Sequence, residues 1–119
     1  MLDAQALGRL RELDPDGRAG ILQRVLRTFD SSLQRLMLQF ETARDPQDLA
    51  VLRYVAHTVR SSSASLGALD LSQCCLEVET RIREGRTDDL APALQAMSEE
   101  STRAAAAVRA MLAAPGKPE

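Results

Sequence analysis

The chain has no tryptophan, one tyrosine and two phenylalanines, so aromatics make up only 3% of it. Basic residues are spread along the sequence without aromatic interleaving, and the formal charge is -2, so no nucleic-acid partner is expected. Lysine is nearly missing: Lys117 is the single one among fifteen basic residues. Val, Ile and Thr are few beside Ala, Leu, Arg, Glu and Gln, a balance that favours helix over sheet. Apolar runs extend over only a few residues, too short to cross a bilayer, so no direct membrane insertion is expected. The opening residues M-L-D-A-Q offer neither a basic nor an apolar leader segment, so no secretory signal is expected. Cysteine is limited to the adjacent pair Cys74 and Cys75, which cannot bridge one another on a helix. They suit a packing role in a reducing compartment, and the expected location is cytoplasmic. No phosphate-binding loop, catalytic triad or metal motif occurs, so no metal site and no bound cofactor are expected.

What is present reads as one globular domain. The 119 residues, 45% apolar and 27% charged, suffice for a single core and not for two. The expected domain is 1–114, with 115–119 as a frayed tail. A short helix is predicted over 3–13, with Leu7 and Leu10 inward, followed by the turn Asp14-Pro15-Asp16-Gly17. From about Arg18 to Arg44, Leu22, Leu26, Phe29, Leu33, Leu36 and Phe40 recur at four- and three-residue spacings, the seam of a bundle helix. Asp45 is expected to cap the next helix, with Pro46 in its first position and Asp48 in its first turn. That helix should run from Pro46 to Leu66, with Leu49, Leu52, Ala56, Val59, Ser63 and Leu66 inward and Val55 alongside, and stop at Gly67. A fourth, over about Leu69 to Glu84, buries Leu71, Cys75, Val78 and Ile82 and stops at Gly85. A fifth begins near Asp88, capped by Asp89, with Leu90, Leu94, Met97, Ser101, Ala104, Val108 and Met111 as its seam. The fold class expected is all-α: an antiparallel up-down four-helix bundle with a short additional N-terminal helix.

The only histidine, His57, falls in the middle of the third predicted helix. At about 100° per residue, its face also carries Ala50, Arg53, Tyr54, Arg60, Ser61 and Ala64, opposite the apolar seam. It should therefore point outward. A lone exposed histidine is ordinarily a solvated surface residue. Here Arg53 and Arg60 lie at i−4 and i+3, the positions whose side chains reach the same patch. Two guanidinium groups beside an imidazole suit an arriving anion. The small residues Ser61 to Ser65 follow, poor helix formers that leave room for another protein's surface. The chemistry that fits is phosphoryl transfer to a neutral imidazole nitrogen, with a guanidinium stabilising charge on the phosphoryl oxygens.

The stretch H-T-V-R-S-S-S-A-S-L-G-A resembles the phosphoacceptor segment of histidine-containing phosphotransfer (HPt) domains, whose pattern is roughly H-x-[hydrophobic]-K-G-[S/A]-[S/A]-x-x-[L/M]-G-A. His57, Val59, Ser62, Ser63, Leu66, Gly67 and Ala68 match. Arg60 stands for the usual Lys and keeps the charge on a broader, flatter donor. Ser61 stands for the usual Gly and adds a hydroxyl one turn from the imidazole. The resemblance covers about Leu7 to Leu112.

It implies a phosphorelay carrier with His57 as phosphoacceptor, Arg60 and secondarily Arg53 as phosphate-stabilising groups, and Ser61 and Ala64 as small residues beside the site. The implied partners are response-regulator receiver domains and a hybrid sensor histidine kinase. The receiver supplies the catalytic Asp and Mg²⁺, so the chain itself is no enzyme. Family members place polar side chains of the following helix near the histidine. Glu79 and Arg83 occupy those positions here, and they also fit an ordinary i,i+4 surface pair. Ala50, Tyr54 and Ala64 are candidates for the partner footprint. Two other readings remain open: a bundle that docks receivers without carrying phosphate, and the substrate domain of a chemotaxis-type histidine kinase.

Overall fold

The computed structural model describes residues 2–17 and 20–113. Among the described residues the chain forms five helices and no strand: α1 (Ala4–Glu12), α2 (Ile21–Thr42), α3 (Leu49–Leu66), α4 (Leu69–Arg83) and α5 (Leu90–Ala113). Helices α2 to α5 make an up-down bundle in which each packs on the next and α5 closes on α2, without contacts across the diagonals. Helix α1 covers α2 and α3. The all-α bundle with its extra N-terminal helix, expected from periodicity, is the fold observed.

The seams face one another as their spacing requires. Leu26, Phe29, Leu33, Leu36 and Phe40 of α2 are buried, as are Leu52, Val55, Ala56, Val59 and Leu66 of α3. Leu71, Cys75 and Val78 of α4 meet Leu90, Leu94, Met97, Ala104 and Val108 of α5 in the same core. Full burial of each large apolar side chain contributes about 1.5–3 kcal/mol, so four such stripes are what hold the bundle. Leu22, Leu49, Ile82 and Met111 sit at the margins, partly buried against this core. Cys75 is fully buried, and burial pushes its thiol up to about 12. That keeps it protonated and inert, as a packing residue should be. Both cysteines are free.

Three boundaries differ from the sequence expectation. Helix α3 starts at Leu49 and not at Pro46, and its N-cap is Asp48, whose carboxylate accepts from the Val51 N–H at 3.3 Å. The reversal from α2 needs the intervening residues: Asp48 N–H donates to Ala43 O at 2.8 Å, and Arg44 pairs with Gln47 across the loop. Asp45 and Pro46 are thus loop residues. Helix α2 starts at Ile21, after Gly20 in a left-handed conformation, and the Ile21 N–H is taken by Asp14 Oδ2 from the preceding turn. Asp89, expected as the cap of α5, turns its Oδ2 to Arg86 instead, while its backbone carbonyl accepts from Arg81. Residues 18 and 19 and the tail 115–119 lie outside the described residues.

The link between α3 and α4 positions the site. Gly67 adopts φ 88°, its N–H donates to Ala64 O, and the Ala68 N–H donates to Ser63 O at 2.8 Å. This pair of bonds closes the helix in the Schellman manner, which needs a residue tolerant of positive φ. Gly67 also accepts from the Asp3 N–H at 2.8 Å, so α1 docks directly on the turn. A Cβ at Gly67 would lie 2.7 Å from Asp3 N and 2.9 Å from Ala6 Cβ, whereas at Gly85 (φ 74°) it would meet open space. Gly67→Ala is therefore expected to lower stability by more than the roughly 1–3 kcal/mol of a left-handed non-glycine residue. Gly85→Ala should stay within that range. Urea unfolding of the two variants compares them.

Candidate functional site

His57 lies ten residues before Gly67, and Glu79 lies twelve after it. At 1.5 Å rise per residue, a hairpin with so short a turn brings both to about 15–18 Å from the bend, at the same height on neighbouring helices. Helical side chains lean toward their own N-terminus, so Arg60, one turn nearer the bend, reaches back to that level. The structure closes the geometry. Glu79 Oε1 lies 2.9 Å from His57 Nδ1, and Glu79 Oε2 accepts from Arg60 Nε. Below them, Ser72 Oγ donates to the Arg60 carbonyl at 3.3 Å and ties the two helices again.

The three partners differ sharply in solvent access. The His57 side chain is 67% exposed, that of Arg60 37% and that of Glu79 only 10%. A carboxylate so nearly enclosed needs cations or donors around it. Burial pushes the Glu79 carboxyl up, but the hydrogen bonds from Arg60 and His57 outweigh it and hold the group below the usual carboxylate range. The same contact raises the Arg60 guanidinium. Glu79 is therefore ionised at neutral pH and can only accept hydrogen bonds. It follows that His57 Nδ1 carries the proton and donates. In the neutral ring, Nε2 then keeps its lone pair.

The remaining predicted residues take the positions their helical phase implies. Ala50, Arg53, Tyr54, Ser61 and Ala64 are all exposed on the face of α3 that carries His57. Arg53 makes no ion pair or hydrogen bond among the described residues and is a free cation one turn from the imidazole. Arg60 is held by Glu79 through Nε, with its terminal amino groups uncommitted. Arg83 is exposed and does not pair with Glu79, so the i,i+4 surface pair does not form. The serine run is accommodated by hydroxyls turned back onto the helix: Ser62 Oγ to Val59 O at 3.2 Å and Ser65 Oγ to Ser61 O at 3.2 Å. Ser63 is buried without a partner for its hydroxyl. Leu76 on α4, one turn from Glu79, is a large apolar residue left partly in solvent together with Tyr54. Sequence reasoning missed it, because its position outside the α4 seam was the only signal. Among the described residues no group of three or more acidic, histidine or cysteine side chains could hold a metal ion.

Comparison with known proteins places the chain in a family. A family model described as the Hpt domain matches residues 24–114. The chain belongs to the Hpt domain family, whose members are histidine phosphotransfer domains of phosphorelays and carry phosphoryl groups rather than catalyse reactions. The crystal structure of histidine-containing phosphotransfer protein B (HptB) from Pseudomonas aeruginosa PAO1 superposes with a TM-score of 0.80 at 23% identity, covering 93% of each chain. That likeness is one of fold. No curated protein matches in sequence.

The lowered Glu79 carboxyl has a consequence for stability. A group depressed in the folded state contributes stability that is complete above its unfolded pKa, near 4.3, and is lost as pH falls through the lower folded value. Glu79→Gln is therefore expected to be less stable than the parent at neutral pH, with the difference narrowing below about pH 4. Thermal unfolding of both proteins across pH 2.5–7 measures it.

Proposed function

We propose that the chain is a phosphorelay intermediate, which accepts a phosphoryl group on Nε2 of His57 from the aspartyl phosphate of a receiver domain and passes it to another receiver. The observation that carries this reading is the His57 imidazole itself. It is exposed at the middle of a helix, with Nδ1 engaged by Glu79, which leaves Nε2 for an approaching partner. Attack by the Nε2 lone pair requires no base on this chain, because neutral imidazole is already the nucleophile. The receiver brings the phosphorylated Asp and Mg²⁺.

Arg53 and the free end of Arg60 flank the position where phosphoryl oxygens gather charge, and a guanidinium there lowers the barrier to transfer in both directions. Ser61, with its hydroxyl unbonded, and Ala64 leave the surface beyond the histidine low enough for the receiver to approach. Ala50, Tyr54 and Leu76 form the apolar part of the docking surface around this polar centre. A hybrid sensor histidine kinase is the proposed source of phosphate, and the working compartment is the cytoplasm. No helix among the described residues is long and apolar enough to cross a membrane.

Incubation with a phosphorylated receiver should transfer label to the parent protein and leave His57→Gln unlabelled, with the helical circular-dichroism spectrum of the variant unchanged. Label appearing on the variant would refute the assignment. ATP and Mg²⁺ alone should give no phosphoprotein.

A further inference from the structure

The two nitrogens of an imidazole point to opposite sides of the ring, so the partner of one fixes the flank on which the other works. Glu79 on α4 lies 2.9 Å from His57 Nδ1, and covalent geometry then directs Nε2 away from that carboxylate. What a phosphoryl group on Nε2 meets depends on the second flank. Helical phase names its residues. At about 100° per residue, i+3 and i−4 fall on one side of a helical residue, and i+4 and i−3 fall on the other. Arg60 and Arg53 take the first side, which the Arg60–Glu79 contact identifies as the side of α4. Ser61 and Tyr54 take the second.

We propose that the Ser61 hydroxyl binds the phosphoryl group carried on His57 Nε2, donating a hydrogen bond to one of its oxygens and so stabilising the phosphorylated carrier. This deepens the relay reading and rests on it. In that transfer the N–P bond forms as the P–O bond to the receiver's Asp breaks, and the Asp carboxylate leaves with the electron pair. Ser61 is exposed, and its hydroxyl has no partner among the described residues. The hydroxyls of Ser62 and Ser65, by contrast, are turned back onto the carbonyls of Val59 and Ser61. Helical side chains lean toward their own N-terminus, so the Ser61 hydroxyl leans toward the turn that carries His57. The Cβ atoms of residues i and i+4 are about 5–6 Å apart, a gap that an imidazole with its phosphoryl group spans. Tyr54, 56% exposed, leans the other way and carries its hydroxyl at the far end of a ring.

The surrounding charges leave this place to a hydroxyl. No charged side chain stands at i−3 or i+4 of His57. Arg53 and Arg60 approach the phosphoryl oxygens from the flank of α4, and Arg60 is tied there through Nε. The Glu79 carboxylate on that flank repels a dianion, which favours oxygens turned toward Ser61. A hydrogen bond to an ionised acceptor is stronger than one between neutral groups, and a serine orders only one short rotor to make it. Glycine, the usual residue of the resembled pattern, has no donor to offer. With serine, the chain itself satisfies an oxygen otherwise left to water, and the phosphoryl equilibrium moves from receiver toward carrier.

The test is a cycle of substitution and phosphorylation. The parent, Ser61→Ala and Ser61→Gly are each phosphorylated chemically with phosphoramidate, which bypasses any receiver, and their amide spectra confirm the fold. Urea unfolding at pH 8 then gives the effect of the phosphoryl group on the unfolding equilibrium of each protein. Differences in helix propensity cancel, because every protein is compared with its own unphosphorylated form. In both variants, phosphorylation should favour unfolding about threefold or more beyond its effect in the parent. Equal effects in all three proteins would overturn the proposal. So would an effect confined to Ser61→Gly, which reports lost bulk and not a lost hydroxyl. If no receiver labels the parent while the cycle shows the predicted difference, the relay reading falls and the hydroxyl contact stands. If receivers label it and the cycle shows none, the contact falls and the relay reading stands.

Discussion

A carboxylate enclosed between two helices has to be neutralised by its neighbours, and Glu79 solves this with two groups at once. One oxygen takes Arg60 and the other takes His57 Nδ1. That single carboxylate fixes the ring orientation, its tautomer and the posture of the nearest cation. Were it apolar, the imidazole would be free to rotate and either nitrogen could face the partner. Were it fully solvated, its hydrogen bond to the ring would exchange with water. Its near-complete burial is what makes the arrangement directional.

The bundle exists to hold that contact at the right height. The two-residue link Gly67-Ala68 joins α3 to α4, and the bonds closing α3 at Gly67 leave little freedom in the bend. Behind the site, Val55, Ala56 and Val59 of α3 meet Cys75 and Val78 of α4 in the core, so neither helix can slide without opening packed apolar surface. Asp3 and α1 seal the same turn from outside. The exposed histidine is therefore carried on a closely packed helix pair, as the proposed relay role requires.

Much of this was legible in the sequence. The apolar seams located every helix and nearly every core residue, because a four- and three-residue period has one structural solution at this length. The outward phase of His57 and the clustering of Arg53, Arg60 and Ser61 followed from the same period. The starts of α2, α3 and α5 were less legible, because several aspartates and prolines compete for each cap and only tertiary contacts choose among them. Asp48 prevailed over Asp45 because the reversal from α2 needed the earlier residues. Glu79 shows the deeper limit. A glutamate on α4 reads equally as a surface partner of Arg83 and as a partner of His57. Only the register of two helices across the bend decides between them, and no local pattern encodes it.

One proton decides which ring nitrogen is nucleophilic, and nuclear magnetic resonance reads it directly. In long-range ¹H–¹⁵N correlation of the unphosphorylated protein at a pH where the ring is neutral, His57 Nδ1 should appear as the protonated nitrogen and Nε2 as the unprotonated one. In Glu79→Gln the two forms should mix. A parent spectrum in which Nε2 carries the proton would contradict the account, since the nitrogen facing the partner would then have no lone pair to give.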